Sequence, residues 1–139
     1  PTLKLNFEEK SIPYREVKTK DGTEKEMSDL VFEYWVLKKG GKKRVGDTLK
    51  RLGMKEQRFG DNYVLDNEVC MTITSGGAYY RQNEPTTISK TDFNLIQSFP
   101  LDYNYLNNDV KYICGMSVPP VMMAQVANQI YEQWLSKLD

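Results

Sequence analysis

Pro119-Pro120 and the run behind them, "VMMAQVANQIYEQWLSKL", constrain this chain more than any other stretch. A proline at the first helical position loses no needed N–H, and its fixed φ already suits a helix. Met122, Met123, Val126, Ala127, Ile130, Trp134 and Leu138 then recur at helical spacing, which predicts one broad apolar stripe. Gln125, Asn128, Gln129 and Glu132 fall on the opposite side. Whatever the chain folds into must bury that stripe or offer it to a partner. Gly115, just upstream, reads as a turn.

A second helix is specified before it. In "TTISKTDFNLIQSFP", Ser89 is a good N-cap and Asp92 stands three residues on, a capping box with Asp in place of Glu or Gln. Ile88 and Phe93 occupy the positions of a hydrophobic staple. Phe93, Ile96 and Phe99 share a face by their three-residue spacing, and Pro100 stops the helix.

Before that helix the pattern changes to period two. Asn62–Leu65 and Val69–Ile73 read as two short β runs with a turn at Asp66-Asn67. They lead to the glycine loop "TSGGAYYR", where Gly76-Gly77 permits positive φ or a close backbone approach. Tyr79, Tyr80 and Arg81 beside it offer stacking faces and a forked donor. On local grounds alone the turn of a plain hairpin is the slightly favoured reading.

The first part of the chain is less decided. "TLKLNF" alternates with period two, as a short strand or an extended lead-in. Asp21-Gly22 signals a turn. "DLVFEYWVL" supports a helix capped by Ser28 and, through its β-branched and aromatic content, a strand. From Lys38 to Arg58 there are nine Lys or Arg residues against two acids, Asp47 and Glu56. That stretch is either a solvated loop or a patch that faces phosphates.

Composition now narrows the function classes. A length of 139 residues allows one domain, or a domain with an appended piece. Formal net charge is zero, so nothing global announces a nucleic acid or a membrane. No apolar run approaches the roughly 18 residues that span a bilayer, and no signal-peptide plan stands at the start. The chain therefore reads as soluble and intracellular, with no membrane partner. It contains no histidine, which removes Ser-His-Asp and Cys-His catalysis and most zinc sites; no metal is expected. Cys70 and Cys114 form no C-x-x-C pair and read as free buried thiols.

Taken in order, the later elements resemble the C-terminal half of DNA cytosine-5 methyltransferases. The family's ninth conserved block is a capped helix closed by an aromatic-Pro-x-x-Tyr phrase, similar to "TTISKTDFNLIQSFPLDY" here. Its tenth block is a Gly-Asn-Ser/Ala-Val turn, often with Pro-Pro and a long helix behind it, similar to "GMSVPPVMMAQVANQI". Its target recognition domain carries a Thr-Leu-like dipeptide before a glycine loop, and Thr72-Ile73 in "MTITSGGAYYR" resembles that. The likeness covers roughly Tyr63–Leu135. Two positions depart from it. Met116 stands where the family has Asn, and Thr91-Asp92 replaces the ninth-block Arg-Glu, so packing onto that helix must be achieved differently.

The family's catalytic blocks are absent, and neither cysteine follows a proline. The resemblance thus implies a recognition-plus-tail half of an enzyme, inactive alone. Its implied fold is α+β, with a small, mostly-β recognition region over 1–84. Over 85–139 it has two helices, the last packing on a Rossmann-like catalytic domain outside this chain. Implied DNA contacts are Thr72, Ser75, Gly76, Gly77, Tyr79 and Arg81, the last as a guanine reader, with Lys42, Lys43 and Arg44 on phosphates. A second recognition loop around Gly53–Gly60 goes with them. Gly115, Met116 and Ser117 take the cofactor-side turn, S-adenosylmethionine being held mainly by the other half. Implied partners are double-stranded DNA and that catalytic half, in a prokaryotic or phage cytoplasm, with self-association through the last helix. The competing expectations are a stand-alone DNA-binding module and a purely structural protein.

Overall fold

A pair of very short strands decides where everything else sits. Asn62–Val64 (β1) runs parallel to Tyr79–Arg81 (β2), with Tyr63 opposite Tyr80 and Val64 opposite Arg81. Side chains alternate across a strand, so the pair faces two cores. On one side Tyr63 and Tyr80 pack with Val31, Tyr34, Val45 and Leu49. On the other, Val64 and Tyr79 pack with Tyr14, Ile73, Ile88, Phe93, Phe99 and Cys114. Burial on both faces is the usual condition of parallel pairing. This computed structural model describes residues 2–7, 9–38, 43–55, 58 and 60–138.

Around the strands stand six helices among the described residues. They are Tyr14–Val17 (α1), Asp29–Leu37 (α2), Val45–Arg51 (α3), Lys90–Ile96 (α4), Val110–Met116 (α5) and Pro120–Gln133 (α6), with a 3₁₀ turn at Leu135–Lys137. The architecture is α+β, but the expectation of a mostly-β first part is overturned. The first β run corresponds to β1, whereas Val69–Ile73 is not a strand. A parallel partner needs a crossover of about a dozen residues, and Val69–Ile73 is spent on it, with Ile73 buried in the core. The "TLKLNF" segment forms no regular element.

The undecided "DLVFEYWVL" is helical because Val31, Tyr34 and Trp35 meet one core at i, i+3 and i+4. Ser28 precedes the helix without capping it through its side chain. Helix α3 lies within the basic stretch. Val45, Thr48 and Leu49 turn inward at the same spacing, and Lys50 and Arg51 sit in its last turn, where cations suit the helix dipole.

Helix α4 forms as its sequence dictates. Ser89 Oγ accepts from the Asp92 N–H at 3.0 Å, and the Asp92 carboxylate accepts from the Ser89 N–H at 3.0 Å. Ile88 and Phe93 bury in the same core. The helix ends ahead of Pro100, at Gln97, and Ser98 takes φ of 54°.

Helix α5 corrects the reading of Gly115 as a turn. Asp109 caps it by accepting from the Tyr112 N–H at 2.8 Å, and Val110, Ile113 and Cys114 meet the core at helical spacing. The main core draws on residues from both sides of position 84/85, so that boundary does not separate two cores. Among the described residues no helix is long and apolar enough to cross a membrane.

Candidate nucleic-acid interface

Two backbones touching each other build the glycine loop. Gly77 has φ of 75°, and a Cβ there would fall 2.0 Å from the Gly60 carbonyl oxygen, so only glycine fits. Asp61 accepts from the Ala78 N–H at 3.0 Å, and Lys111 Nζ donates to the Gly77 carbonyl at 2.7 Å. Tyr79 anchors the loop from below: its hydroxyl accepts from the Thr74 N–H at 2.7 Å and donates to the Thr72 carbonyl at 3.2 Å. Gly76 remains exposed at the crest, with open space around it, and Ser75 is half-buried.

Beside this loop lies a groove of about 400 Å³ lined by Arg44, Gly60, Asn62, Thr72, Thr74 and Tyr79, among others. It brings Arg44, Thr72 and the glycine loop together from positions far apart in sequence. Thr72 and Arg44 are exposed at its rim. Lys43 is also exposed, but it pairs with Glu68 at 2.5 Å, which competes with any phosphate. Lys42 lies outside the described residues, as do parts of the expected second loop at 53–60. Among its described residues, Arg58 pairs with Asp61 at 3.1 Å and Gly60 serves as the seat for Gly77.

Two expected base contacts are corrected. Arg81 is fully buried, and its guanidinium donates to Asp92 Oδ2 at 3.0 Å, Glu24 Oε1 at 3.1 Å, Glu84 Oε2 at 3.1 Å and the Thr19 carbonyl. A side chain committed to three carboxylates has no fork left for a guanine edge. Tyr79 is likewise buried, packed edge-on against Phe93 at 5.9 Å between centroids, so no base can stack on it. Both side chains belong to β2, whose faces are covered by the two cores.

The charge around Arg81 extends outward. Lys18 bonds Glu84 at 2.5 Å and Lys20 pairs with it at 3.2 Å, which, Lys18 foremost, holds the Glu84 carboxyl down at about 2. Asp92 accepts from Tyr14 Oη at 2.6 Å and from Thr19 at 2.7 Å. Burial, then the bond to Asp92, pushes the Tyr14 phenol well above its usual range. Cys70 is half-buried, not fully, and burial pushes its thiol up to about 12, so it is no nucleophile at neutral pH.

The cofactor-side residues sit differently from the expected turn. Gly115 lies inside α5, where a Cβ would meet the Ser75 nitrogen and Thr74 carbonyl carbon at 2.5 Å. Its lack of a side chain serves the packing of α5 on the glycine loop, so the backbone there is not free to approach a cofactor. Met116 ends the helix with an exposed side chain, and Ser117 Oγ donates to the Ile113 carbonyl at 2.7 Å. These three residues do not fit a cofactor pocket by themselves. Among the described residues no cluster of three or more His, Cys, Asp or Glu could hold a metal ion.

Helix α6 turns its glutamines to the N-terminal segment and leaves much of its apolar stripe exposed, although Val126 and Ile130 are half-buried. Gln133 exchanges hydrogen bonds with the Lys4 backbone at 3.0 and 2.7 Å, and Gln125 donates to Glu9, so the polar stripe meets the N-terminal segment. Val121, Met122, Met123, Tyr131, Trp134, Leu135 and Leu138 are exposed, and the helix has no buried residue.

Sequence reasoning missed α5, although Asp109 with Val110, Ile113 and Cys114 was a readable N-cap and stripe. It also missed Lys111 as a support of the loop, which no local pattern signals. No protein-family model, curated protein or solved structure matches this chain.

Proposed function

We propose that this chain is the DNA-recognition half of a cytosine-5 methyltransferase, completed by a catalytic half that carries the nucleophile and binds S-adenosylmethionine. The observation that carries the reading is α6: a long helix with its glutamines inward and its methionines, Tyr131 and Trp134 outward, in the very segment that resembles the family's docking helix. An apolar helix face of that extent on a neutral chain fits a larger apolar partner. Support also comes from the groove lined by Arg44, Thr72 and Thr74, where Thr74 Oγ1 donates to the carbonyl of the exposed Gly76 at 2.9 Å.

In this reading the exposed backbone at Gly76 meets base edges, and Thr72 and Arg44 meet the sugar-phosphate backbone. Flipping the target cytosine costs a few kcal/mol, and these contacts offset part of that cost. Arg81 and Tyr79 act as the frame beneath the loop. Cofactor contact is left to the catalytic half, with only the exposed end of α5 at Met116–Ser117 adjoining it.

The test is duplex-DNA binding at several salt concentrations, with the chain alone and with a catalytic half bearing the Pro-Cys loop. The expected result is affinity that falls with salt at a slope of about −0.9 per phosphate contacted, and methyl transfer only in the combined sample. DNA binding without any gain from the catalytic half would point to a stand-alone binding module. Absence of salt-dependent binding in both samples would overturn the reading.

A further inference from the structure

We infer that Lys25, Lys90 and Lys111 form a second cleft that binds backbone phosphodiesters of the same nucleic acid, an inference that rests on the reading just given. The cleft, of about 230 Å³, is lined by these three lysines together with Thr87, Asp109 and Tyr79, among others. Among the described residues none of the three lysines is in an ion pair, whereas Lys18, Lys20 and Lys43 each have a carboxylate. The cleft thus concentrates uncompensated positive charge on a chain whose net charge is zero.

The donors are partly pre-set. Lys111 Nζ spends one N–H on the Gly77 carbonyl, which pins the ammonium at the mouth and leaves two donors for a ligand. Thr87 Oγ1 accepts from the Lys25 N–H at 2.9 Å, so its own O–H is left to donate. Lys25 and Lys90 are exposed and free to close on an anion. One carboxylate opposes them in the described lining: Asp109, whose Oδ1 is engaged by the Tyr112 N–H as the cap of α5.

Position argues for a polyanion over a single small ion. Tyr79 lines both this cleft and the Arg44–Thr72 groove, so cationic side chains flank the glycine loop in both hollows. A strand crossing Gly76 would meet Arg44 in one and the lysines in the other. Phosphates on such a path supply affinity without sequence information.

The experiment is fluorescence anisotropy of the intact chain on duplex DNA across a salt series, with circular dichroism as a fold check. Lys25→Ala/Lys90→Ala should weaken binding alike on all sequences and lower the salt slope by about 1 per lysine. Asp109→Asn, which keeps a good helix cap, should tighten binding. A Lys4→Ala/Lys10→Ala control with the same charge change should leave the slope alone, and an equal drop there would overturn the cleft as a specific site. If the wild type binds DNA and the Lys25/Lys90 variant keeps its slope, the cleft is refuted while the wider reading stands. If the wild type ignores DNA yet inorganic pyrophosphate shifts the Lys25 and Lys90 amide resonances, the site takes free phosphate and the nucleic-acid source is refuted. Indifference to both ligands overturns both.

Discussion

Asp92 accepts hydrogen bonds from Tyr14, Thr19, Arg81 and the Ser89 backbone at once. Those donors come from the N-terminal segment, from β2 and from its own helix, so one carboxylate joins the region before residue 84 to the helix after it. Buried ion pairs contribute little net stability when intact, yet removing one partner leaves an uncompensated charge and costs about 3–5 kcal/mol. Arg81→Leu is therefore expected to lose about 3 kcal/mol, the lower end, because Asp92 keeps its other donors while Glu24 and Glu84 lie nearer to water. Urea unfolding measures it. A loss below about 1 kcal/mol, with sequence preference on DNA altered instead, would return Arg81 to the role of base reader.

At the scale of elements, Gly115 sets the approach of α5 to the glycine loop. Replacing it by alanine gains up to about 1 kcal/mol of helix propensity. The added methyl, however, meets the backbone of Thr74 and Ser75 at 2.5 Å, and backbone cannot step aside as a flexible side chain would. Overpacking of this kind costs about 1–3 kcal/mol, so the steric term wins. Gly115→Ala should lower the melting temperature and disturb the amide resonances of Thr72–Gly77; a raised melting temperature would show that α5 and the loop are not in contact. The same juxtaposition explains why Gly115 reads locally as a turn and not as part of α5. The glycine is required by a neighbour distant in sequence.

For the whole molecule, the question is what covers α6. The core residues lie on the two faces of the strand pair, and α6 adds no buried side chain to either. Stability of the body is thus largely independent of the outward face of this helix. Met123→Glu, at a site half exposed, should leave the urea midpoint nearly unchanged, within the about 0.5 kcal/mol typical of surface changes. It should abolish both concentration-dependent association in sedimentation and pairing with a catalytic half. Persistence of both would mean that a different surface makes the contact.

The sequence by itself determined the elements whose signals are local. The capping box at Ser89 and Asp92, the staple of Ile88 and Phe93, the Pro120 helix start and the first strand need only neighbours within a few residues. Among candidate site residues it named the glycine loop, Thr72 and Arg44, and the fold leaves Gly76, Thr72 and Arg44 exposed. Tertiary structure decided the rest, because burial and pairing are set by residues far apart along the chain. A parallel partner from Tyr79–Arg81 put Arg81 and Tyr79 between two cores, where neither can meet a base. A crossover absorbed Val69–Ile73. The N-terminal segment took hold of the glutamines of α6, and most of the apolar stripe, legible from its spacing, was left exposed by contacts that spacing does not encode.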